Sequence, residues 1–235
     1  MEGVELPLQL VPFSAEFLDL PIQFVLAPHP LRVGAPIARV SRIVAVVQKA
    51  GRSGPLVFVK VRHEIRNHAG VALIEDHDIV YRESAEASAR PASFDSPLVL
   101  SPSKDERLAQ DRPIRSGIPE WTREIVPDEV LLFRYSALTF NGYRIHYDRQ
   151  FATTVQRYPG LVVHAPLIAT LLADLLRRNL PGANVATFTF RALRPLFDGA
   201  PFTVCGRPAD DGLSAALWAS DAGGAVAFEA AATLV

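Results

Sequence analysis

Cysteine is almost absent from this sequence, since Cys205 is the only one among 235 residues. A single thiol excludes a disulfide within the chain and the paired cysteines of a zinc knuckle. Chains without disulfides are typical of reducing compartments, so the sequence predicts a cytoplasmic protein.

Long apolar runs and an excess of charge are also lacking. No stretch reaches the roughly 20 apolar residues that a membrane-spanning helix needs. The start, MEGVELPLQLVPF, has neither a basic region nor a long apolar run, so no signal peptide is predicted. The formal net charge is −1 and charges of both signs are interspersed. This pattern favours neither nucleic acid nor a membrane surface as a partner.

Several motifs of common enzyme classes are missing too. There is no G-x-S-x-G elbow, no P-loop and no nucleotide-binding glycine pattern. His63, His68 and His77 could suggest a metal together with Glu64, Glu75 and Asp76, but their spacing fits no established ligand set. Strand alternation would also send neighbouring side chains to opposite faces. We therefore predict no metal site.

Two groups of strands are predicted from alternation and turn residues. Hydrophobic content of 49% and this length suffice for a sizeable core. The first group comprises residues 22–26, 37–49, 56–66 and 71–81, and the second comprises 121–125, 184–193, 201–207, 213–220 and 225–234. Residues 83–119 are rich in Ala, Ser, Pro and charge, which indicates a surface linker. The segment PLRVG at 30–34 echoes RPLFDG at 194–199, which suggests that the two groups are related halves.

Helices are predicted only between the strands of the second group. One begins at Pro127-Asp128-Glu129, where proline and acids suit a first turn, and runs towards Leu138. A short helix at 149–156 is capped by Asp148. The next, at 161–178, is apolar around most of its circumference and should be buried.

The stretch 135–178 carries the candidate chemistry. Asn141 and His146 lie five positions apart, ahead of a loop closed by Pro159-Gly160. An imidazole has a reference pKa of ~6.5, so His146 can take and return a proton near neutral pH. The alternative is a surface or capping histidine beside Asp148. The Asn141 side chain can donate and accept hydrogen bonds but cannot exchange a proton. The alternative to a role in the site is that Asn141 is a turn residue in the favoured Asn-Gly pair.

This order of parts resembles the MaoC-like dehydratase/hydratase family of hot-dog folds, whose motif D-x-N-P-x-H precedes a central buried helix. Asn141 stands at the family's Asp, Tyr143 at its Asn, Arg144 at its Pro and His146 at its His. His164-Ala165 stands where a His-Gly step usually opens the helix. The variant SALTFNxxRIHYD with YPGLVVH looks closest to the mesaconyl-CoA and itaconyl-CoA hydratase-like proteins and the 3-hydroxyacyl-thioester dehydratases of type 2.

The resemblance implies an α+β double hot-dog, an antiparallel sheet wrapped around a central helix. Residues 120–235 would form the catalytic hot-dog, 83–119 the linker, and 1–82 a degenerate half without a helix of its own. Pro7 and Pro12 argue against such a helix ahead of Ile22. A sheet without its helix would expose a large apolar patch, so 1–20, the linker or a second chain should cover it.

The resemblance also implies a hydro-lyase that adds water across the α,β double bond of an enoyl thioester. The expected substrate is a small branched or dicarboxylic acyl-CoA, similar to mesaconyl- or itaconyl-CoA, and CoA is substrate rather than cofactor. The alternatives are a 3-hydroxyacyl-ACP dehydratase, a hot-dog thioesterase and a non-catalytic binding subunit. Hot-dog sheets commonly pair, so a homodimer is open as well.

Roles for individual residues follow from the same resemblance. His146 would be the sole acid/base, and Asn141 would position water or substrate. The backbone N–H of Ala165, the position that matches the family's donor, would bind the thioester oxygen. Pro166 has no N–H and cannot be that donor. The substrate-binding residues would be Tyr143, Arg144, His164 and Gly160. For Arg144 the alternative is a salt-bridged arginine, and for His164 it is a satisfied structural histidine.

Overall fold

The computed structural model describes residues 22–26, 31–51, 54–82 and 117–235. The strands in these ranges are β1 (Ile22–Leu26), β2 (Ala38–Gly51), β3 (Gly54–Asn67), β4 (Gly70–Arg82), β5 (Trp121–Ile125), β6 (Val185–Ala192), β7 (Phe202–Pro208), β8 (Ser214–Asp221) and β9 (Val226–Leu234). The helices are α1 (Glu129–Thr139) and α2 (Ala165–Asn179), with a 3-10 turn (Arg144–His146) and a π-helical turn (Phe151–Val155) between them. Within these ranges, no helix is long and apolar enough to cross a membrane.

All nine described strands join one sheet in the order β2-β3-β4-β1-β6-β9-β8-β7-β5. Its seam is the antiparallel pair β1–β6, where Phe24 lies opposite Phe188. Outward from the seam, β1 is followed by β4, β3 and β2, and β6 is followed by β9, β8 and β7. Each half is therefore the same four-strand arrangement, and β5 extends the second half at its edge.

The echoed segments occupy equivalent turns in the two halves. Gly34 follows β1 and Gly199 follows β6, and both have a φ of 84°. Residues with a side chain rarely adopt this left-handed conformation, which explains glycine at both positions. The sequence echo thus marks the same turn after the first strand of each half.

Helix α2 covers one face of the second half of the sheet. Its buried residues are Leu167, Ile168, Ala169, Leu172, Leu175 and Leu176. They share one core with inward-facing residues of the strands, among them Phe202, Val204, Leu217, Ala219 and Phe228. Each fully buried leucine stabilises the fold by about 1.5–3 kcal/mol, so α2 is the main apolar anchor of this half.

The predicted strand bounds agree with the structure within two residues, but the predicted helix at 161–178 is wrong at its start. Residues 161–163 are not helical, and Val162 forms an antiparallel bridge with Phe197. Helix α2 begins at Ala165, with Pro166 in its first turn, where a missing N–H costs no hydrogen bond. The short helix predicted at 149–156 is the π-helical turn Phe151–Val155.

The first half consists of strands and turns wherever the structure describes it. One face of its sheet carries cross-strand ion pairs, with Arg62 against Asp76 at 2.7 Å and Lys60 against Asp78 at 3.5 Å. The predicted covering segment 1–20 and most of the linker 83–119 lie outside the described residues. The predicted domain bounds therefore stay predictions.

Candidate active site

The loop that leaves α1 brings Asn141 into a tight turn. Helix α1 begins as predicted, with the Asp128 carboxylate accepting the N–H of Leu131 at 2.7 Å, and it ends at Phe140 in a left-handed conformation. The N–H of Asn141 donates to the Ser136 carbonyl at 2.9 Å. The Asn141 Oδ1 accepts the N–H of Tyr143 at 3.0 Å, which is an Asx turn. This turn directs the chain into the 3-10 turn that carries His146.

The imidazole of His146 is buried and held by one defined hydrogen bond. Its Nδ1 lies 2.7 Å from the carbonyl oxygen of Val162. A carbonyl only accepts, so Nδ1 carries the proton and Nε2 of the neutral ring is a free base. Burial lowers the pKa of His146 below its ordinary value, and the bond to Val162 partly offsets that shift. The neutral ring therefore prevails at neutral pH.

The extended segment 161–163 is what positions His146. On one side the N–H of Val162 donates to the Ile145 carbonyl at 3.0 Å. On the other side the N–H of Val163 donates to the Leu196 carbonyl at 2.8 Å. This segment therefore ties the turn of His146 to the loop after β6.

The buried carboxylate of Asp198 also connects the loop after β6 to this segment. Its Oδ1 accepts the N–H of Leu161 at 2.7 Å, and its Oδ2 pairs with the guanidinium of Arg149. A Cβ at position 160 would collide with Oδ1, so only glycine allows this approach. Gly160, predicted as a substrate-binding residue, is buried against Asp198 in the structure.

The N-terminus of α2 presents one free backbone donor beside this segment. The N–H groups of Leu167 and Ile168 both donate to the His164 carbonyl, at 3.0 and 3.2 Å. Pro166 has no N–H. The Ala165 N–H makes no hydrogen bond to the backbone of any described residue. Ala165 therefore has a backbone donor at the start of α2, where the helix dipole favours negative charge. That it binds the thioester oxygen stays a prediction.

His164 lies face to face with His146. The two ring centroids are 3.8 Å apart and the planes differ by 17°. The His164 side chain is 1% exposed, and its Nε2 is hydrogen-bonded to the Ser136 hydroxyl at 2.8 Å. Burial, together with the neighbouring His146, lowers the pKa of His164 to about 3. Ser136 is a contact that the sequence reasoning missed, because a serine within a helix shows no sign of a partner 28 residues away.

Tyr143 and Arg144 lie on the outer side of the His146 turn. The Tyr143 ring meets the His146 ring edge-on, with centroids 6.0 Å apart. Arg144 pairs with Asp148 at 2.7 Å and stacks over Phe151 at 4.3 Å. The Asp148 carboxylate also caps the N–H of Phe151 at 2.9 Å, as predicted for the helix start there. Of the two roles considered for Arg144, the salt bridge is the one that the structure contains.

His63 lies on β3, His77 on β4, and His68 in the turn between these strands. The Nδ1 of His63 is hydrogen-bonded to the Ser41 hydroxyl at 2.7 Å and approached by Arg39 at 3.0 Å. Burial lowers the pKa of His77. In the described ranges, no three His, Cys, Asp or Glu side chains come together as metal ligands.

Sequence comparisons relate this chain to known proteins. The sequence model of the family hydroxyacyl-thioester dehydratase type 2 matches residues 22–198. A mesaconyl-C(4)-CoA hydratase of Chloroflexus aurantiacus is 43% identical over 202 residues, covering 86% of this chain and 65% of that protein. A mitochondrial hydroxyacyl-thioester dehydratase type 2 of Schizosaccharomyces pombe is 36% identical over 103 residues, covering 43% of this chain and 34% of that protein. The chain thus spans less than two thirds of the length of either relative.

Solved structures show the same fold. A MaoC-like dehydratase from Phytophthora capsici superposes with a TM-score of 0.66 at 13% identity, covering 96% of this chain and 74% of the other. A Mycobacterium tuberculosis protein with a double hotdog fold superposes with a TM-score of 0.56 at 14% identity, covering 95% and 76%. The predicted double hot-dog is confirmed, and with the family match over residues 22–198 the chain belongs to the hydroxyacyl-thioester dehydratase type 2 family.

Proposed function

We propose that this chain is a hydro-lyase that reversibly adds water across the α,β double bond of an enoyl-CoA. The observation that carries the proposal is the His146 imidazole, which is fixed through Nδ1 to Val162 and therefore has a basic Nε2. Its turn is joined by backbone hydrogen bonds to the segment that leads into α2 and the free Ala165 N–H. A base and an oxyanion donor on two segments joined by hydrogen bonds are the two groups that this reaction needs.

The proton balance assigns both transfers to His146. As water attacks the β-carbon, Nε2 takes one of its protons and the hydroxyl forms the new C–O bond. The electrons of the double bond move towards the thioester carbonyl, whose oxygen gains negative charge. The Ala165 N–H donates to that oxygen. Nε2 then returns its proton to the α-carbon, and the ring is neutral again.

Asn141 acts as an orienting amide in this scheme. Its Oδ1 is engaged by the N–H of Tyr143, so its NH₂ group is the part that can donate to water or substrate. A carboxylate there could share the proton transfers, but an amide cannot. The proposal therefore makes His146 the only acid/base.

For the substrate we propose a small branched or dicarboxylic acyl-CoA. The 43% identical relative is a mesaconyl-C(4)-CoA hydratase, and its substrate class is the support for this choice. Tyr143, Arg144, His164 and Gly160 are the proposed binding residues. Arg144 would have to exchange Asp148 for a substrate carboxylate or a CoA phosphate, and its half-exposed side chain allows such an exchange.

The alternatives differ in what they require of the site. A thioesterase needs a carboxylate that directs water at the carbonyl, but Asp148, the nearest in sequence, is engaged by Arg144 and by the N–H of Phe151. An ACP-dependent dehydratase would use the same residues with a different carrier. A non-catalytic subunit would leave His146 without a role. The cytoplasmic setting, the homodimer and the domain bounds 1–82, 83–119 and 120–235 belong to the proposal as well.

Incubation with acyl-CoA substrates tests the proposal. Crotonyl-CoA and mesaconyl-CoA are followed by the enoyl-thioester absorbance and, in parallel, by release of free thiol. Loss of the absorbance without thiol is the expected result. Thiol release would indicate hydrolysis instead, and unchanged absorbance with measurable binding would indicate a binding subunit. If the enzyme prefers dicarboxylic substrates, the enoyl-thioester absorbance should fall faster with mesaconyl-CoA than with crotonyl-CoA. A comparison of crotonyl-ACP with crotonyl-CoA shows which carrier is used.

A further inference from the structure

The stacked pair of imidazoles is the feature that the proposed function leaves unexplained. His164 lies wholly inside the protein, yet no described residue bonds its Nδ1. A buried polar atom without a partner is unfavourable, and such atoms in native proteins often mark a functional constraint. An apolar residue at position 164 would avoid this penalty and would still pack.

We propose that Ser136 and His164 form a positioning pair that holds the imidazole of His146 in the orientation required for proton transfer. The inference rests on the proposed function and refines it in one respect: His164, proposed above as a binding residue, is assigned to the base His146 rather than to the substrate. His164 acts through His146 and is a positioning residue, not a catalytic one.

The geometry restrains the His146 ring in complementary ways. The bond from Nδ1 to the Val162 carbonyl fixes one edge of the ring. That bond alone leaves the ring free to tilt about the Nδ1–oxygen line. The His164 ring, parallel to within 17° at 3.8 Å, covers the face and blocks that tilt. Nε2 is the nitrogen left available for the reaction.

Ser136 in turn fixes the plane of His164. Its hydroxyl is hydrogen-bonded to Nε2 of His164 at 2.8 Å from the buried face of α1. Tyr135, the preceding residue of α1, meets the same ring edge-on with centroids 4.9 Å apart. Helix α1 therefore fixes the orientation of the His164 ring. Through the stacking contact, His164 in turn restrains the His146 ring.

The two rings must also carry no more than one positive charge between them during turnover. His146 becomes a cation when Nε2 takes the proton from water, and a second cation 3.8 Å away would oppose that step. The low pKa of His164, caused by burial and by His146 itself, keeps this ring neutral. The two rings are contacted by Tyr135 and Ser136 of α1, by Tyr143 of the loop and by the Val162 carbonyl. No described carboxylate shifts the pKa of either histidine.

Kinetics of Ser136→Ala test the pair with a control from the same helix. Thr139→Ala also removes one hydroxyl from α1, but that hydroxyl donates to the carbonyl of Tyr135 and not to either histidine. We expect Ser136→Ala to lower kcat about 10- to 100-fold, since loss of orientation costs rates of that order, with KM within two-fold. Thr139→Ala should keep both constants. Equal kinetics in the two variants, or a loss confined to KM, would overturn the pair.

A double-variant cycle separates a coupled pair from two independent contacts. His164→Phe keeps a flat ring but has no nitrogen for Ser136. If the two residues act as a unit, Ser136→Ala/His164→Phe is no slower than His164→Phe alone. Multiplied losses would show that they act separately.

Nitrogen-15 NMR of the histidine rings tests the geometry without activity. We expect a slowly exchanging Nδ1 proton on His146 in the wild type and in Thr139→Ala, and a broadened or absent one in folded Ser136→Ala. An unchanged His146 signal in Ser136→Ala would overturn the pair. If the wild type converts no enoyl thioester, the proposed function fails, while this spectrum still decides whether Ser136 and His164 hold His146.

Discussion

The carboxylate of Asp198 accepts the backbone N–H of Leu161 at 2.7 Å across 37 residues of chain. This contact joins the loop after β6 to the segment that holds His146. Because the Asp198 side chain is 3% exposed, its removal would leave the buried N–H of Leu161 without its acceptor. Arg149 would keep only Glu129, 3.6 Å away, as an ion-pair partner. The position of His146 therefore depends in part on Asp198, a residue outside the proposed catalytic and binding set.

We predict that Asp198→Ala lowers both stability and activity. The free energy of unfolding should fall by about 1–3 kcal/mol, the cost of leaving a buried donor unsatisfied. Urea denaturation measures the change, and Asp210→Ala, at an exposed position of the β7–β8 turn, is the matched control. Asp198→Asn keeps an acceptor for Leu161 and should lose less than the alanine variant. Equal stability of the alanine variant and the control would contradict the role of Asp198.

His146→Ala should abolish hydration and leave the fold intact. Removal of a general base commonly lowers the rate by ~100- to 10,000-fold. The enoyl-thioester assay gives the rate, circular dichroism establishes folding, and His68→Ala in the exposed β3–β4 turn is the control. A folded His146→Ala protein with activity within a few-fold of wild type would refute the assignment.

Asn141→Asp should keep measurable activity, whereas Asn141→Ala should not. Aspartate retains the oxygen that accepts the N–H of Tyr143, so the Asx turn survives, and it adds a titratable group. Alanine removes the turn bond and the orienting amide together. Initial rates with the same enoyl-CoA compare the three proteins. An active alanine variant beside an inactive aspartate variant would mean that this loop does not contribute as proposed.

The sequence predicted this fold and site unevenly, for physical reasons. Strand positions and the turns at Gly34 and Gly199 were predictable because alternation and left-handed glycines are local signals. The start of α2 was not, because LVVHAPLIATLL is equally apolar as strand or helix. Its conformation is decided by the pairing of Val162 with Ile145 and Phe197, which no local pattern contains. The Ser136–His164 contact is long-range in the same way, whereas His146 was found because its position before the helix belongs to a recognisable motif.

Acid should lower the free energy of unfolding through His164. Its folded pKa of about 3 lies below the ordinary value of 6.5, so between these values the unfolded chain binds the proton and the folded chain does not. Stability from this group is fully present above pH 6.5 and is lost as the pH falls towards 3. At pH 5 the loss amounts to about 2 kcal/mol.

His164→Gln isolates that contribution, because glutamine can still bond Ser136 but does not titrate. Urea unfolding at pH 7 and pH 5 should show a fall in stability that is about 2 kcal/mol smaller in the variant than in the wild type. Carboxylates titrate equally in both proteins, so their effect cancels in the difference. Activity should respond differently, since the lowered pKa of His146 keeps its Nε2 basic below pH 6.5 and kcat/KM should decline only at more acidic pH. Parallel pH dependence of stability in wild type and His164→Gln would show that His164 is protonated in the folded chain, and the neutral ring of the stacked pair would be wrong.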